Sequence, residues 1–317
     1  PELLWPGFRA PASRTPERGR SDRGLASFAI AVKRGSKTEQ MKIGIDVSQH
    51  HLDWPELRRR VVWADEAGFA SAWVFDHFTA LYGDPKGPCL EAWTLLGALG
   101  EATSRIRLGA LVTGVTYRHP SLLAAEIVTV DHVSGGRLNV GLGAAWHEGE
   151  HRRLGFDFPP TRERIERLDE TVQIVKGVLT SDDFDFDGRH YRLEQAFYRP
   201  RPVQRPWPEL WIGATGEKVM LPLAARHADV WHGFGSPASL TRMSAVVDRA
   251  AEAAGRDPGA IGRSTSLSIS EPWDQVRRQA EELRAAGFDH LIASWPADGQ
   301  ARVAEFAEAV MSDLLAG

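Results

Sequence analysis

From Met41 onward, short apolar runs alternate with segments of helical periodicity, and this alternation predicts an α/β fold. Eight of the apolar runs have the length and composition of buried parallel strands. These runs are Ile43–Val47, Ser71–Phe75, Ile106–Val112, Leu138–Leu142, Leu210–Gly213, Val230–Phe234, Ser264–Ile269 and His290–Ser294. Eight strand–helix units match a TIM (β/α)8 barrel, which takes about 250 residues. A doubly wound open sheet is the alternative, but eight regular units favour a closed barrel.

The segments between the runs carry helix signals. One apolar face at helical spacing consists of Ile165, Leu168, Val172, Val175 and Leu179. Asp53 followed by Pro55 is typical of a helix start, because aspartate caps free backbone N–H groups and proline suits the first turn. An Ala-Gly-Phe sequence precedes two of the strands, and its glycines, Gly68 and Gly287, suit the left-handed residue that follows a helix.

Two segments do not follow the alternation. Residues 181–208 are acidic and aromatic at first and then rich in proline and arginine. They are predicted to form a surface insertion after the fourth helix, with a hairpin turned at Asp187–Gly188. Residues 1–40 are basic and rich in proline, serine and glycine, which predicts a disordered N-terminal extension. Met41 is then the expected start of a single barrel domain, residues 41–317.

The composition is that of a globular enzyme-sized chain: 43% of the residues are hydrophobic, enough for a large core. The net charge of −4 and the lack of a basic stripe argue against nucleic acid as a partner. No apolar run is long enough to cross a bilayer, so no membrane partner is expected. The single cysteine, Cys89, fits a reducing cytoplasm. The expected partner is a small-molecule substrate, and a homodimer is one expected assembly.

The stretch Glu209–Lys218 runs from an apolar strand through a turn with Gly213 and Gly216 towards a helix. Backbone N–H groups at such a turn lack helical partners, and the helix dipole adds partial positive charge. Lys218 can contribute a charged donor. The pattern predicts a phosphate-binding turn, although the same pattern also occurs as a plain connection between a strand and a helix.

The carboxyl ends of the strands carry the chemistry in such a barrel. There the sequence places Asp76 and His77 after the second strand, and Trp231 and His232 at the sixth. Glycines recur at these ends, as close approach of the backbone to a flat or phosphorylated ligand would require, although any one of them can be a simple loop glycine.

Metal catalysis is the main competing chemistry for this kind of barrel. His50 and His51 are adjacent in the sequence, so on an extended strand their side chains face opposite sides. The strand ends also lack an alternating His-x-His pair and paired acids. We therefore expect no metal site.

Several motifs occur in the order typical of one protein family. They are Phe75–Phe78, Leu108–Val112 with Tyr117–Pro120, Asp131–Leu138, Gly141–His147, Gly213–Lys218 and Ala225–Trp231. In this ordered set the chain from Met41 to Gly317 resembles the bacterial luciferase-like family. The turn at Gly213–Lys218 with the following Ala-Arg-x-Ala-Asp-x-Trp pattern is most similar to the branch that uses the deazaflavin coenzyme F420.

The resemblance implies a tricyclic coenzyme in the barrel mouth. Its phosphate would lie on the turn formed by Gly213, Ala214, Thr215, Gly216, Glu217 and Lys218. A cis peptide in a bulge of the third strand, at Leu111–Val112, would press on the central ring. Asp76 would hydrogen-bond the coenzyme, and His77 would lie near the reacting carbon. Gly143, Trp146 and His147 complete the implied coenzyme contacts.

Two departures from the family pattern concern the substrate. Ala145 stands where many relatives have glycine, and Trp146 occupies the region where sugar-phosphate-oxidising relatives have a catalytic glutamate. A sugar phosphate is therefore not expected. Trp146, with Trp231 and Phe78, predicts an apolar or aromatic pocket wall.

The resemblance thus implies hydride transfer between F420 and a small organic substrate. An FMN-dependent monooxygenase that receives reduced flavin from a partner reductase is the alternative. A third hypothesis is a barrel that stores flavin without catalysis. The presence of Asp76 and His77 is evidence against it.

Overall fold

The computed structural model describes residues 41–316, so the predicted disordered extension at residues 1–40 lies outside the described residues. The strands are β1 (Lys42–Asp46), β2 (Ser71–Val74), β3 (Arg107–Ala110), β4 (Thr113–Gly114), β5 (Leu138–Gly143), β6 (Phe184–Asp187), β7 (Arg192–Ala196), β8 (Glu209–Gly213), β9 (Val230–Gly233), β10 (Gly262–Leu267) and β11 (His290–Ser294). Within the described residues, parallel pairing runs through β1, β2, β3, β5, β8, β9, β10 and β11 and returns to β1. This closed ring of eight strands confirms the predicted TIM barrel.

The helices are α1 (Trp54–Glu66), α2 (Ala92–Ala102), α3 (Pro120–Val133), α4 (Glu148–Leu154), α5 (Thr161–Thr180), α6 (Met220–His227), α7 (Pro237–Ala253), α8 (Trp273–Ala285), α9 (Gln300–Phe306) and α10 (Ser312–Ala316). A 3-10 turn at Pro258–Ala260 and a π turn at Ala307–Met311 complete the described helical segments. Asp53 caps α1 by accepting from the Glu56 backbone N–H, as predicted. Gly68 and Gly287 have the predicted left-handed conformation, with φ of +86° and +85°. None of the helices between residues 41 and 316 is both long and apolar enough to cross a bilayer.

The third barrel strand is not continuous, contrary to the prediction for Ile106–Val112. β3 ends at Ala110 and β4 resumes at Thr113, because the chain bulges at Leu111 and Val112. The peptide between these two residues is cis, as the family resemblance predicted. The bulge lies at the carboxyl end of the barrel, which is the end expected to carry the site.

The helix α4 was not predicted, so the predicted fourth helix, which contains Ile165 and Leu179, is α5 in the structure, and the segment 181–208 follows it. Within this segment β6 and β7 form an antiparallel hairpin outside the barrel sheet, with Asp187 paired to Arg192. The carboxylate of Glu170, on α5, accepts hydrogen bonds from the backbone N–H groups of Arg189, His190 and Tyr191. These bonds hold the hairpin turn against the barrel domain.

Apolar side chains form two layers. The larger core lies between the barrel and the helices, and a smaller one inside the barrel contains Trp73, Trp211, Val230 and Ile292, with Leu111 packed against it. Trp231 belongs to the larger core and is fully buried. Its prediction as a pocket wall is therefore wrong. Side chains alternate along a strand, and on β9 the alternation turns Trp231 away from the barrel interior.

Candidate active site

Asp76, directly after β2, is buried and tightly held. Both of its oxygens accept from the Arg118 guanidinium, at 2.6 and 3.2 Å, and the Gly114 backbone N–H lies 3.3 Å from Oδ2. Arg118 also pairs with Glu91 at 3.0 Å and Glu126 at 3.2 Å. Asp76 thus joins the end of β2 to β4, just beyond the bulge. The sequence offered no sign of the pairing with Arg118, which lies 42 residues further along the chain.

His77 lies beside Asp76, and its ring is bound to a carboxylate that the sequence reading missed. Its Nδ1 is 2.8 Å from Oε2 of Glu150, on α4. The side chain of His77 is 10% exposed, whereas Glu150 is fully buried. No hydrogen bond from within residues 41–316 reaches the other ring nitrogen, Nε2. The imidazole is therefore fixed at one nitrogen and free at the other.

Glu150 is the centre of a dense set of hydrogen bonds. Besides His77, its carboxylate accepts from the Tyr117 hydroxyl at 2.6 Å, from the Phe78 N–H, and from the N–H and hydroxyl of Thr79, each at 2.9 Å. Burial alone would raise the pKa of Glu150, but the bonds from His77 and Tyr117 outweigh it and lower the pKa to about 2. Burial, together with the nearby carboxylate, raises the pKa of Tyr117, so its hydroxyl remains a donor.

This arrangement decides the proton positions on the His77 ring. An ionised carboxylate can only accept, so Nδ1 of His77 carries a hydrogen that it donates to Glu150. In the neutral ring Nε2 then carries a lone pair and can accept a hydrogen bond or a proton. In the protonated ring Nε2 carries a hydrogen and is a donor. Glu150 is the third residue of α4. An acid at this position normally interacts with the helix N-terminus and its dipole, so the sequence contained no signal for the contact with His77.

The glycines at the mouth make room for the bulge. A Cβ on Gly143 would lie 2.5 Å from Cγ2 of Val112, and one on Gly213 would lie 3.1 Å from Cγ1 of the same side chain. Val112 therefore sits between β5 and β8 because both strands carry glycine there. Val112 fills the space beside these glycines and forms that part of the mouth, and the contact of Gly143 and Gly213 with a coenzyme stays a prediction.

The predicted phosphate turn lies at the end of β8. Ala214 is buried, while Thr215, Gly216, Glu217 and Lys218 are exposed. The backbone N–H groups of residues 215–219 have no acceptor within the described part of the chain, and Lys218 forms no ion pair there. The helix α6 begins at Met220 rather than directly at the glycine turn, because residues 217–219 form a separate turn. The unpaired N–H groups have the character of an anion-binding nest.

Exposed aromatic side chains at the mouth include Trp146 and Phe234. Trp146 is 66% exposed; it stacks on His147 with ring centres 5.0 Å apart and meets His77 edge-on at 5.7 Å. Phe234, which the sequence reading did not single out, follows β9 and is 48% exposed. Phe78 packs between Tyr117 and Phe156 at 5.1 and 5.2 Å. Trp146 and Phe234 therefore provide the apolar faces, whereas Phe78 supports the loop that carries Glu150's partners.

Ala145 adopts the left-handed conformation, with a φ of +59°, at the position where the family resemblance implies glycine. The left-handed conformation costs an L side chain roughly 1 to 2 kcal/mol, whereas glycine loses about 0.4 to 1 kcal/mol more chain entropy on folding. We expect Ala145→Gly to stabilise the protein by about 0.5 kcal/mol and to raise the melting temperature by about one to two degrees. Ala144→Gly, at a neighbour without positive φ, is the matched control and should lower it. An unchanged or lower melting temperature in Ala145→Gly would show that the conformation carries no cost here.

Residues 41–316 contain no group of three or more histidine, cysteine, aspartate or glutamate side chains that could hold a metal ion. His50 and His51 lie in the loop after β1, where the His51 ring contacts the Tyr82 carbonyl at 2.7 Å. The site in this part of the chain consists of His77 with Glu150, the Val112 bulge, the exposed aromatic rings and the 215–219 turn.

Comparison with known proteins agrees with this geometry. Residues 39–311 match the family model for luciferase-like monooxygenases. An FMNH2-dependent dimethylsulfone monooxygenase from Pseudomonas putida is 31% identical over 70% of this chain, which spans 60% of that protein. An F420-dependent glucose-6-phosphate dehydrogenase from Amycolatopsis mediterranei is 30% identical over 75% of this chain and 71% of its own length.

Among solved structures, an F420-dependent secondary alcohol dehydrogenase in complex with an F420–acetone adduct superposes with a TM-score of 0.78. The match covers 86% of this chain and 98% of that one, and at 19% identity it shows a common fold. The family match, the barrel and the cis bulge at the expected position converge: this chain belongs to the luciferase-like family of oxidoreductases.

Proposed function

We propose that this protein transfers a hydride between coenzyme F420 and a small organic substrate. The observation that carries the proposal is the His77–Glu150 pair, which provides a protonable nitrogen at the barrel mouth. The similarity to an F420-dependent dehydrogenase over three quarters of the chain supports the same chemistry. When bound, the deazaflavin supplies a two-electron hydride donor or acceptor.

The residues at the mouth suit such a group. The turn at Gly213–Lys218 would hold a phosphate through its unpaired N–H groups and the Lys218 ammonium. Leu111, Val112 and Gly143 would lie under the ring system, and Trp146 and His147 would flank it. Asp76, at the end of β2, would hydrogen-bond the coenzyme and hold the bulge in place. Both of its oxygens also accept hydrogen bonds from Arg118.

His77 then accepts or donates the proton that accompanies hydride transfer. In alcohol oxidation the substrate O–H bond breaks, and Nε2 accepts the proton while the carbon gives up its hydride. In the reverse direction the protonated ring returns the proton to the developing alkoxide. Glu150 keeps Nδ1–H oriented and stabilises the imidazolium, and the Trp146 ring limits access of water to the His77 ring.

FMN-dependent oxygenation is the second candidate, because a monooxygenase relative is equally similar. Both coenzymes carry a phosphate, so the turn does not distinguish them. Spectral titration of the apoprotein with each coenzyme tests the proposal. We expect F420 to bind at least about 10-fold more tightly than FMN, a difference of about 1.4 kcal/mol. Tighter binding of FMN would overturn the proposal.

The phosphate turn gives a separate prediction. A Cβ on Gly216 would meet only Met220 atoms at 3.5 Å or more, so Gly216→Val should fold normally. Its bulk should nevertheless weaken coenzyme binding by about 10-fold or more, because it covers the N–H groups. Lys218→Ala should weaken binding less, since the backbone donors remain. Titration of both variants checks this, and wild-type affinity in a folded Gly216→Val would remove the phosphate assignment.

We propose further that the protein acts in the cytoplasm as a homodimer. The single cysteine fits the compartment. Leu122 and Val133, about three turns apart on α3, are exposed apolar side chains that a second copy could cover. Light scattering of the purified protein tests the assembly, and a monomeric mass would contradict it.

A further inference from the structure

A carboxylate outside the His77 network points into the barrel mouth. On β1, Ile43 and Ile45 belong to the core between the barrel and the helices. A Cβ on Gly44 would instead meet the Ser71 Oγ and the His290 ring, which are inside the barrel. Because side chains alternate along a strand, Asp46 also points inward, at the carboxyl end of β1.

Serine side chains stand near the carboxyl ends of the next two strands of the barrel, β11 and β10. Asp46 is paired with Ser294 in the sheet, and Ser294 lies two residues beyond Ile292 of the inner core. On β10, Ser266 is paired with Ile292 and is exposed, while its neighbour Leu267 packs outward. Asp46, Ser294 and Ser266 thus lie on the inner face of three consecutive strands, β1, β11 and β10, and we name this polar side of the mouth the serine wall.

The wall is chemically distinct from the rest of the mouth. Beside the glycines of β5 and β8, the bulge presents the Val112 methyl groups, and Trp146 and Phe234 present exposed rings. A substrate in this mouth would therefore meet an apolar surface on one side and a carboxylate with hydroxyls on the other. Such asymmetry orients a small molecule that has one polar and one apolar part.

Asp46 has unused hydrogen-bonding capacity. Its Oδ1 accepts from the Ser48 hydroxyl at 2.9 Å, the Ser48 backbone also acts on the carboxylate, and within residues 41–316 no basic side chain pairs with it. Burial raises the pKa of this carboxyl to about 6, against the lowering effect of the Ser48 bonds. A partly dehydrated carboxylate gains free energy when a donor from outside binds it.

The fold itself makes little use of this carboxylate. The cap of α1 is supplied by Asp53, and the network after β2 is centred on Arg118. A half-buried acid that neither caps a helix nor pairs with a cation weakens the fold unless a ligand completes it.

We propose that the serine wall recognises the substrate: Asp46 accepts a hydrogen bond from a donor group, a hydroxyl or a protonated amine, next to the reacting carbon. The wall then admits neutral and cationic alcohols and rejects anionic ones, because a carboxylate or phosphate would face the Asp46 charge. The inference rests on the proposed function, which places a substrate in this mouth.

Three alcohols that share a secondary carbinol provide the test: 2-propanol, 1-amino-2-propanol and lactate. They differ in the charge of one substituent. Ligand-observed NMR on the F420-loaded protein gives their dissociation constants at about pH 8, where Asp46 is ionised. Absorbance of F420 gives turnover in parallel. We expect the amino alcohol to bind at least about 10-fold more tightly than lactate.

The variant Asp46→Asn should bring this ratio close to one, since the shape is kept and the charge is lost. Asp46→Ser is the second variant if the first fails to fold. Asp187→Asn, on the exposed hairpin, is the matched control and should leave the ratio unchanged. Equal affinities in the wild-type protein, or an unchanged ratio in a folded Asp46 variant, would overturn the proposal.

The same experiment separates the proposal from the function on which it rests. If the alcohols bind with the expected charge preference but F420 absorbance does not change, the role of the serine wall is supported and hydride transfer to or from these alcohols is contradicted. If F420 is turned over without a charge preference, hydride transfer is supported and the role of the serine wall is contradicted.

Discussion

Replacing His77 with asparagine is expected to lower turnover by about 10²-fold or more while coenzyme binding stays nearly intact. Asparagine can still donate from its amide to Glu150, so the local hydrogen bond has a replacement. It cannot accept and return a proton near neutral pH. The loss should therefore fall on kcat when proton transfer contributes to the slow step.

Steady-state kinetics and coenzyme titration of His77→Asn check this expectation. His132→Asn is a suitable control, because that ring contacts only the Arg201 carbonyl among its described partners, at the far end of α3. Equal losses of stability and coenzyme binding, with turnover per bound coenzyme unchanged, would assign His77 to packing and leave the proton donor unidentified.

The second large effect is expected at Glu150. In Glu150→Gln the side chain keeps its shape but loses the charge that fixes the His77 hydrogen on Nδ1. An amide can also turn its NH2 group towards His77 and favour the opposite tautomer. We expect turnover to fall by about 10²-fold or more, because loss of the orienting carboxylate lets a catalytic histidine adopt the wrong tautomer, a change that costs up to about 10⁴-fold in the serine protease triad. Glu101→Gln, on the exposed surface of α2, is the matched control.

Glu150 should also contribute to stability in a pH-dependent way. Its pKa is lowered from the ordinary 4.5 to about 2 in the folded protein, so its contribution is fully present above pH 4.5. The shift corresponds to about 3 kcal/mol, which is lost as the pH falls towards 2. Denaturant unfolding of wild type and Glu150→Gln should therefore differ strongly at neutral pH and converge in acid. A constant difference across this range would contradict the assigned cause.

Much of the fold was predictable because it depends on local periodicity. The alternation of apolar runs and helical segments indicates the barrel, since each βα unit must bury one face. The cis peptide at Leu111–Val112 was predictable only through the family motifs, because nothing in those residue types requires it. The same motifs single out Asp76 and His77 as site residues, and the assignment of the coenzyme contacts stays a prediction.

The residues that stand at the strand ends could be named from the amino-acid sequence, because their positions follow from counting along each strand. The contacts of those residues depend on tertiary packing. Glu150 is 73 residues from His77, and Arg118 is 42 from Asp76, so neither contact follows from local pattern. The direction of Trp231 and Asp46 likewise depends on the register of each strand in the closed barrel. Contacts between distant loops arise only when the barrel closes, since closure brings their strand ends to one face.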